Sequence, residues 1–133
     1  MKYTPEQWND WRWHMRHRIE SEEALRAYFE PTSEESEAIE ATKDVFQWSI
    51  TPYYASLMDP QDPTCPIRRQ VVPLMDELAP DVVGSEDPLE EVAHSPVKNL
   101  IHNYPDRVAF CVTSQCAIYC RYCLRKRMVC EAE

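Results

Sequence analysis

One glycine in 133 residues, set against eleven prolines, restricts what this chain can build. The loops that cradle phosphate in nucleotide-binding folds need several glycines close together. With Gly84 alone, a P-loop or a dinucleotide-binding fingerprint is excluded. The prolines fall mostly in one stretch, in Asp59-Pro60, Asp62-Pro63, Cys65-Pro66, Val72-Pro73, Ala79-Pro80 and Asp87-Pro88. Each turns the residue before it away from helix. The stretch therefore predicts short helical turns joined by extended linkers, with one more turn at Asp87–Glu91.

The segment before it is helical in pattern. Thr4-Pro5-Glu6-Gln7 is a helix start, with a capping Thr, an early Pro and a Gln three residues on. Trp8, Trp11, Met15 and Ile19 follow at spacings of three or four, with Arg12, Arg16 and Arg18 between them. This predicts one amphipathic helix whose Trp stripe serves as core or as a subunit interface. A second short helix is expected from Ser21 through Tyr28. A third opens on the capping box Thr32-Ser33-Glu34-Glu35 and runs to about Trp48.

After Ser95-Pro96 the chain is extended. Val108 to Thr113 is short, apolar and partly β-branched, and reads as a buried strand. Cys111 within it reads as a small buried hydrophobe, and Cys65 is given no role. Directly afterwards comes Cys116-Ala117-Ile118-Tyr119-Cys120-Arg121-Tyr122-Cys123. Thiolates in this C-x3-C-x2-C spacing can hold three corners of a cubane [4Fe–4S] cluster. Clusters used only for electron transfer usually have four cysteine ligands, so an open corner suits an iron that binds a substrate or cofactor. The alternative is zinc, with Cys130 as a fourth thiol, although structural zinc usually draws on separated C-x2-C pairs. A disulfide framework fits less well. No signal-peptide pattern opens the sequence, no apolar run approaches a membrane span, and the chain reads as cytoplasmic, where thiols stay reduced.

The net charge of −9 argues against nucleic acid as a partner. The cysteine region departs from it, with Arg121, Arg125, Lys126 and Arg127 against Glu131 and Glu133. Such a cluster suits an anionic ligand, or is a solvated turn at the start of a helix. Strand, ligand loop and basic helix in succession match the first βα unit of a barrel, where active sites lie on the loops after strands.

The cysteine run resembles the signature of radical S-adenosylmethionine (SAM) enzymes. The motifs around it are similar to those of the lysine 2,3-aminomutase family. They include Asn9-Asp10-Trp11-Arg12-Trp13, Ile50-Thr51-Pro52-Tyr53-Tyr54, Pro66-Ile67-Arg68-Arg69-Gln70, Glu86-Asp87-Pro88-Leu89, Ser95-Pro96-Val97, Tyr104-Pro105-Asp106-Arg107-Val108 and Cys120-Arg121-Tyr122-Cys123. Asn103 and Tyr122 depart from the pattern, where relatives often carry Arg and His.

The resemblance implies an isomerase that interconverts α- and β-amino acids by moving an amino group between C2 and C3. It implies a [4Fe–4S] cluster on Cys116, Cys120 and Cys123, with SAM at the open iron. Pyridoxal 5′-phosphate (PLP) is implied near Tyr104 and Arg107, and Arg125 is implied to bind the substrate carboxylate. None of these residues is assigned a catalytic role. The expected fold class is α/β, with a helical and Pro-rich region at 1–94 and the first strand and cluster loop of a radical SAM barrel at 95–133. A full (β/α)8 barrel takes about 250 residues, and the PLP-holding lysine is missing. The chain is therefore expected to be an N-terminal fragment, inactive by itself. A homo-oligomer or a complementing chain with the rest of the barrel is the expected partner. A split enzyme, a non-enzymatic iron–sulfur or zinc module, and a gene remnant are the rival readings.

Overall fold

The computed structural model describes residues 3–80 and 84–129. They divide into two compact units, residues 3–79 with 117–122, and residues 80 and 84–116 with 123–129. The class is α/β, as expected: short helices in the first unit and a two-stranded antiparallel sheet in the second.

In the first unit, α1 (Pro5–Trp8) opens on Thr4 with a full capping box. The expected single amphipathic helix then breaks. Asp10 adopts extended backbone and accepts a hydrogen bond from Arg12 N at 2.9 Å, which starts α2 (Trp11–Arg16) as a separate helix. Asp is a strong N-cap residue, and that local bond overrides the continuous apolar spacing. The Trp stripe is split accordingly. Trp13 is buried, while Trp11 is 64% exposed and stacks against the Arg12 guanidinium. Ile19 leaves the helix and pairs with Ile50 in an isolated bridge.

α3 (Glu22–Leu25) is capped by Ser21. α4 (Ser33–Thr42) is capped by Thr32 and Glu35, and it stops at Thr42 rather than near Trp48. The segment beyond is needed elsewhere: Trp48 and Ile50 enter the core with Ile19, Leu25, Phe29, Ile39, Met58, Val71 and Val72. The Pro-rich stretch gives α5 (Pro52–Ala55), α6 (Pro66–Arg69) and a 3-10 turn at Met75–Leu78. In both helices Pro stands at the first helical position, where its missing N–H costs nothing.

A buried ion pair ties α4 to α6. Arg68 is 1% exposed, and its Nε donates to Glu35 Oε1 at 2.7 Å. Its guanidinium lies 3.8 Å from the centre of the Phe29 ring.

In the second unit, β1 (Leu100–Tyr104) and β2 (Arg107–Phe110) form a hairpin around Pro105-Asp106, with Leu100 opposite Phe110 and Tyr104 opposite Arg107. Four expectations are corrected here. The apolar strand is Arg107–Phe110 and is exposed along its whole length, not buried, because nothing among the described residues of its own unit covers the face carrying Val108 and Phe110. Cys111, just beyond it, is half-buried. Asp87–Glu91 is not a helical turn. Glu90 takes left-handed backbone at φ 52°, and Asp87 caps Glu91 N at 3.0 Å and Val92 N at 2.8 Å. Among the described residues no helix follows the cysteines, and residues 124–129 form turns. The only glycine takes no positive φ. The left-handed positions fall to Glu90 and Asn99 instead.

Candidate functional site

The cysteine loop is shared between the two units. Cys116 and Cys123 belong to the second and Cys120 to the first. All three are free thiols, with Cys116 exposed and the other two half-buried. Among the described residues, no three Cys, His, Asp or Glu side chains are gathered as a metal site would require. Cys130, the candidate fourth zinc thiol, lies outside the described residues.

Within the first unit the loop is fixed at successive residues. Ile118 bridges to Ile50, Tyr119 N donates to Ser49 O at 3.0 Å, and Arg121 N donates to Gln70 O at 2.9 Å. The Arg121 side chain turns inward. Nε donates to Glu77 Oε1 at 2.7 Å and Nη2 to Glu77 Oε2 at 2.6 Å, the planar fork that suits a carboxylate. Gln70 Oε1 accepts from Tyr54 OH at 2.9 Å and from Tyr122 OH at 3.4 Å. Burial pushes the Tyr54 phenol above its ordinary value, with Tyr122, Cys120 and Cys65 adding to the effect.

Cys65, which had no expected role, is buried at the head of α6. Hydrogen bonds from the backbone N–H groups of Asp59 and then Arg68 hold its thiol below the usual value. The Asp59 N to Sγ distance is 3.4 Å.

Within the second unit Arg125 is engaged by a carboxylate of the chain itself. Nε lies 3.1 Å from Glu91 Oε1, and Nη2 lies 2.6 Å from the same oxygen. The bond to Glu91 holds the guanidinium pKa above its ordinary value, against the opposing effect of burial. Arg127 joins it, with Nη2 at 3.1 Å from Glu91 Oε2 and 2.8 Å from Asp87 Oδ1. Glu91 is 2% exposed, whereas 43% of the Arg125 side chain faces solvent. A groove of about 570 Å³ runs past Glu91, Ser95, Val97, Asn99 and Arg127.

Arg107 and Tyr104, the expected PLP neighbours, sit together at the hairpin turn. The guanidinium is 4.6 Å from the Tyr104 ring centre and pairs with Asp106 at 3.7 Å, fully on the surface. In the basic cluster Arg121, Arg125 and Arg127 each pair with a carboxylate of the chain, and Arg121 alone among them is fully turned inward. Glu77 and Glu91 were not singled out from sequence. No local pattern marks them, since their partners lie 44 and 34 residues away.

No family model matches the chain. Individual proteins do. The L-lysine 2,3-aminomutase of Bacillus subtilis (strain 168) is 48% identical over 122 residues, which is 92% of this chain and 26% of that protein. The L-lysine 2,3-aminomutase of Clostridium subterminale is 45% identical over 126 residues, 95% of this chain and 30% of the relative.

The chain is similar to lysine 2,3-aminomutases along more than nine-tenths of its own length.

The glutamate 2,3-aminomutase of Clostridioides difficile (strain 630) is 37% identical over 126 residues, 95% of this chain and 30% of that protein. The chain spans between a quarter and a third of the length of these relatives. No helix among its described residues is long and apolar enough to cross a membrane.

Proposed function

We propose that this chain is the cluster-bearing segment of a radical SAM amino acid 2,3-aminomutase, an isomerase acting on an α-amino acid. The reading rests on one observation. Identity of 45–48% to lysine 2,3-aminomutases runs across more than nine-tenths of the chain.

The donor set fits a [4Fe–4S] cluster chemically. None of Cys116, Cys120 and Cys123 is in a disulfide; Cys116 is exposed and the other two are half-buried. Soft thiolates are the ligands such clusters take. A cluster held by these three sulfurs would supply the electron that cleaves SAM bound at the fourth iron.

The remaining assignments concern binding. Arg125 would hold the substrate carboxylate through its planar guanidinium, with 43% of its side chain open for that contact. Tyr104 and Arg107 form an exposed cation–aromatic pair suited to a phosphate-bearing aromatic ring such as PLP. The hairpin would be the start of the barrel, with its exposed Val108 and Phe110 face covered by later barrel elements, from this protein or from a complementing chain. The compartment is cytoplasmic, where the thiols remain reduced. Lysine and glutamate both remain in range as substrates, because named relatives of each kind match this segment.

The test is anaerobic reconstitution of the purified chain with iron and sulfide. The expected product holds about four iron and four sulfide per chain and absorbs near about 400 nm. Its electron paramagnetic resonance spectrum should shift when SAM is added. Cys116→Ala, Cys120→Ala and Cys123→Ala should each abolish the absorbance, whereas Cys65→Ala and Cys111→Ala should keep it. Zinc alone, or a cluster indifferent to SAM, overturns the reading.

A further inference from the structure

We infer that the open edge of β2 takes a second copy of this chain, strand against strand, and that the assembly stops at a dimer. The inference is independent of the cysteines and concerns the 133-residue chain by itself; later barrel elements would compete for the same edge. The two edges of the hairpin differ. Cys111 N donates to Asn99 O at 2.8 Å, and Ala109 stands opposite Ile101, so these residues of β2 turn their backbone groups toward β1. By alternation Val108 and Phe110 turn theirs to the other side, where no strand lies among the described residues. The outer edge of β1 is already occupied. Leu100 N donates to Val97 O at 3.2 Å and His102 N to His94 O at 2.8 Å.

Composition suits the open edge to pairing with itself. Val108-Ala109-Phe110-Cys111-Val112-Thr113 has high strand propensity and no charge, Pro or Gly, the pattern that pairs with its own kind across copies. Edges that stay apart carry Lys, Pro or a bulge, whereas the only charge on β2 is Arg107, at the turn. Electrostatics does not oppose the approach. The described residues of the second unit hold as many Lys and Arg as Asp and Glu, although the chain as a whole carries −9. A strongly acidic or basic partner would find no net field here to draw it. In an antiparallel pair centred on Phe110, that ring meets its own copy and Val108 meets Val112. Side chains that are 65%, 50% and 76% exposed then cover one another. The contact is isologous, with the same residues on both sides. A hairpin that is marginal alone gains the strands it lacks, and the occupied β1 edges leave no place for a third copy.

Sedimentation velocity of the full chain, metal-free and under reductant so that no disulfide joins two copies, should show a monomer–dimer equilibrium and no larger species. Phe110→Lys sets like charges face to face and should weaken the dimer by at least about ten-fold. Val92→Lys makes the same change at an exposed apolar residue of the second unit that lies off the strand, and should leave the dimer unaltered. Circular dichroism reports whether each variant folds. Amide exchange read residue by residue by NMR decides the matter if Phe110→Lys does not. In the parent, protection should rise with concentration at Val108 and Phe110 and stay constant at Val92, whose amide is capped by Asp87.

A chain that stays monomeric at every concentration overturns the inference and leaves the edge to a later barrel segment. Growth beyond the dimer also overturns it, since the β1 edge would then be open. So does a dimer that folded Phe110→Lys leaves intact, or one that both variants weaken equally, which would mean general apolar adhesion. Protection that rises with concentration in the first unit instead of at β2 places the contact elsewhere and sinks the proposal.

Discussion

Glu91 takes hydrogen bonds from Arg125 and Arg127 on its two carboxylate oxygens while being almost entirely withdrawn from solvent. The guanidinium expected to grip a substrate carboxylate is therefore already oriented by one of the protein's own. The arrangement is suited to presenting the remaining face of Arg125 in a fixed direction, since a fork held on one edge cannot rotate freely.

Replacing Glu91 by Gln should loosen the turn that contains it. Breaking a buried ion pair from one side costs about 3–5 kcal/mol when both partners are buried. Arg125 is 43% exposed and Arg127 22% exposed on their side chains. Solvent screening of those partners lowers the expectation to about 1–2 kcal/mol. Amide hydrogen exchange should accelerate at residues 87–95 and remain unchanged in α4. Equal protection in the variant would show that the Asp87 cap alone maintains the turn.

Glu35 has two duties, closing the capping box on Thr32 and pairing with buried Arg68. Glu35→Ala removes both and strands the Arg68 guanidinium. The expected loss is about 4 kcal/mol, from roughly 1 for the cap and 3 for the orphaned charge. Urea unfolding followed by tryptophan fluorescence measures it. A loss below about 1 kcal/mol would mean that water reaches Arg68 readily.

Tyr28 carries a buried hydroxyl with no hydrogen-bond partner among the described residues. Burial, with a smaller effect from Tyr3, pushes its phenol above the ordinary value. A group that holds its proton more tightly when folded contributes stability below its unfolded pKa, and that contribution fades as pH rises through the folded value. The parent chain should therefore lose melting temperature above about pH 10, and Tyr28→Phe should lose less. At neutral pH the same variant should be more stable by about 1 kcal/mol, because an unmet buried hydroxyl disappears without a cavity. A destabilised Tyr28→Phe would reveal a partner for the hydroxyl.

Much of the helical unit was legible because its signals are local. Thr4, Ser21 and Thr32 cap the helices whose starts they mark in the sequence, and Pro52 and Pro66 head theirs. The errors arose where a local bond or a distant partner competed with periodicity. Asp10 interrupts an apolar stripe that is regular on paper, since one side-chain bond to Arg12 N restarts the helix. Trp48 was drawn out of α4 by a core whose other members lie far along the chain. The strand at Arg107–Phe110 has the composition of a buried element, yet its covering layer is not among the described residues. The cysteine spacing could be read directly. The carboxylates that grip the adjacent arginines could not, because each arrives from tens of residues upstream and no spacing rule links them.

The bridges Ile19–Ile50 and Ile50–Ile118 stitch together three points spread over most of the chain. Closing so wide a loop costs entropy that only an already ordered acceptor repays. The cysteine segment, made after Ile19 and Ile50, would find its docking edge at Ile50 already synthesised. The loop that carries Cys120 therefore takes its shape only once the segment around Ile50 has folded.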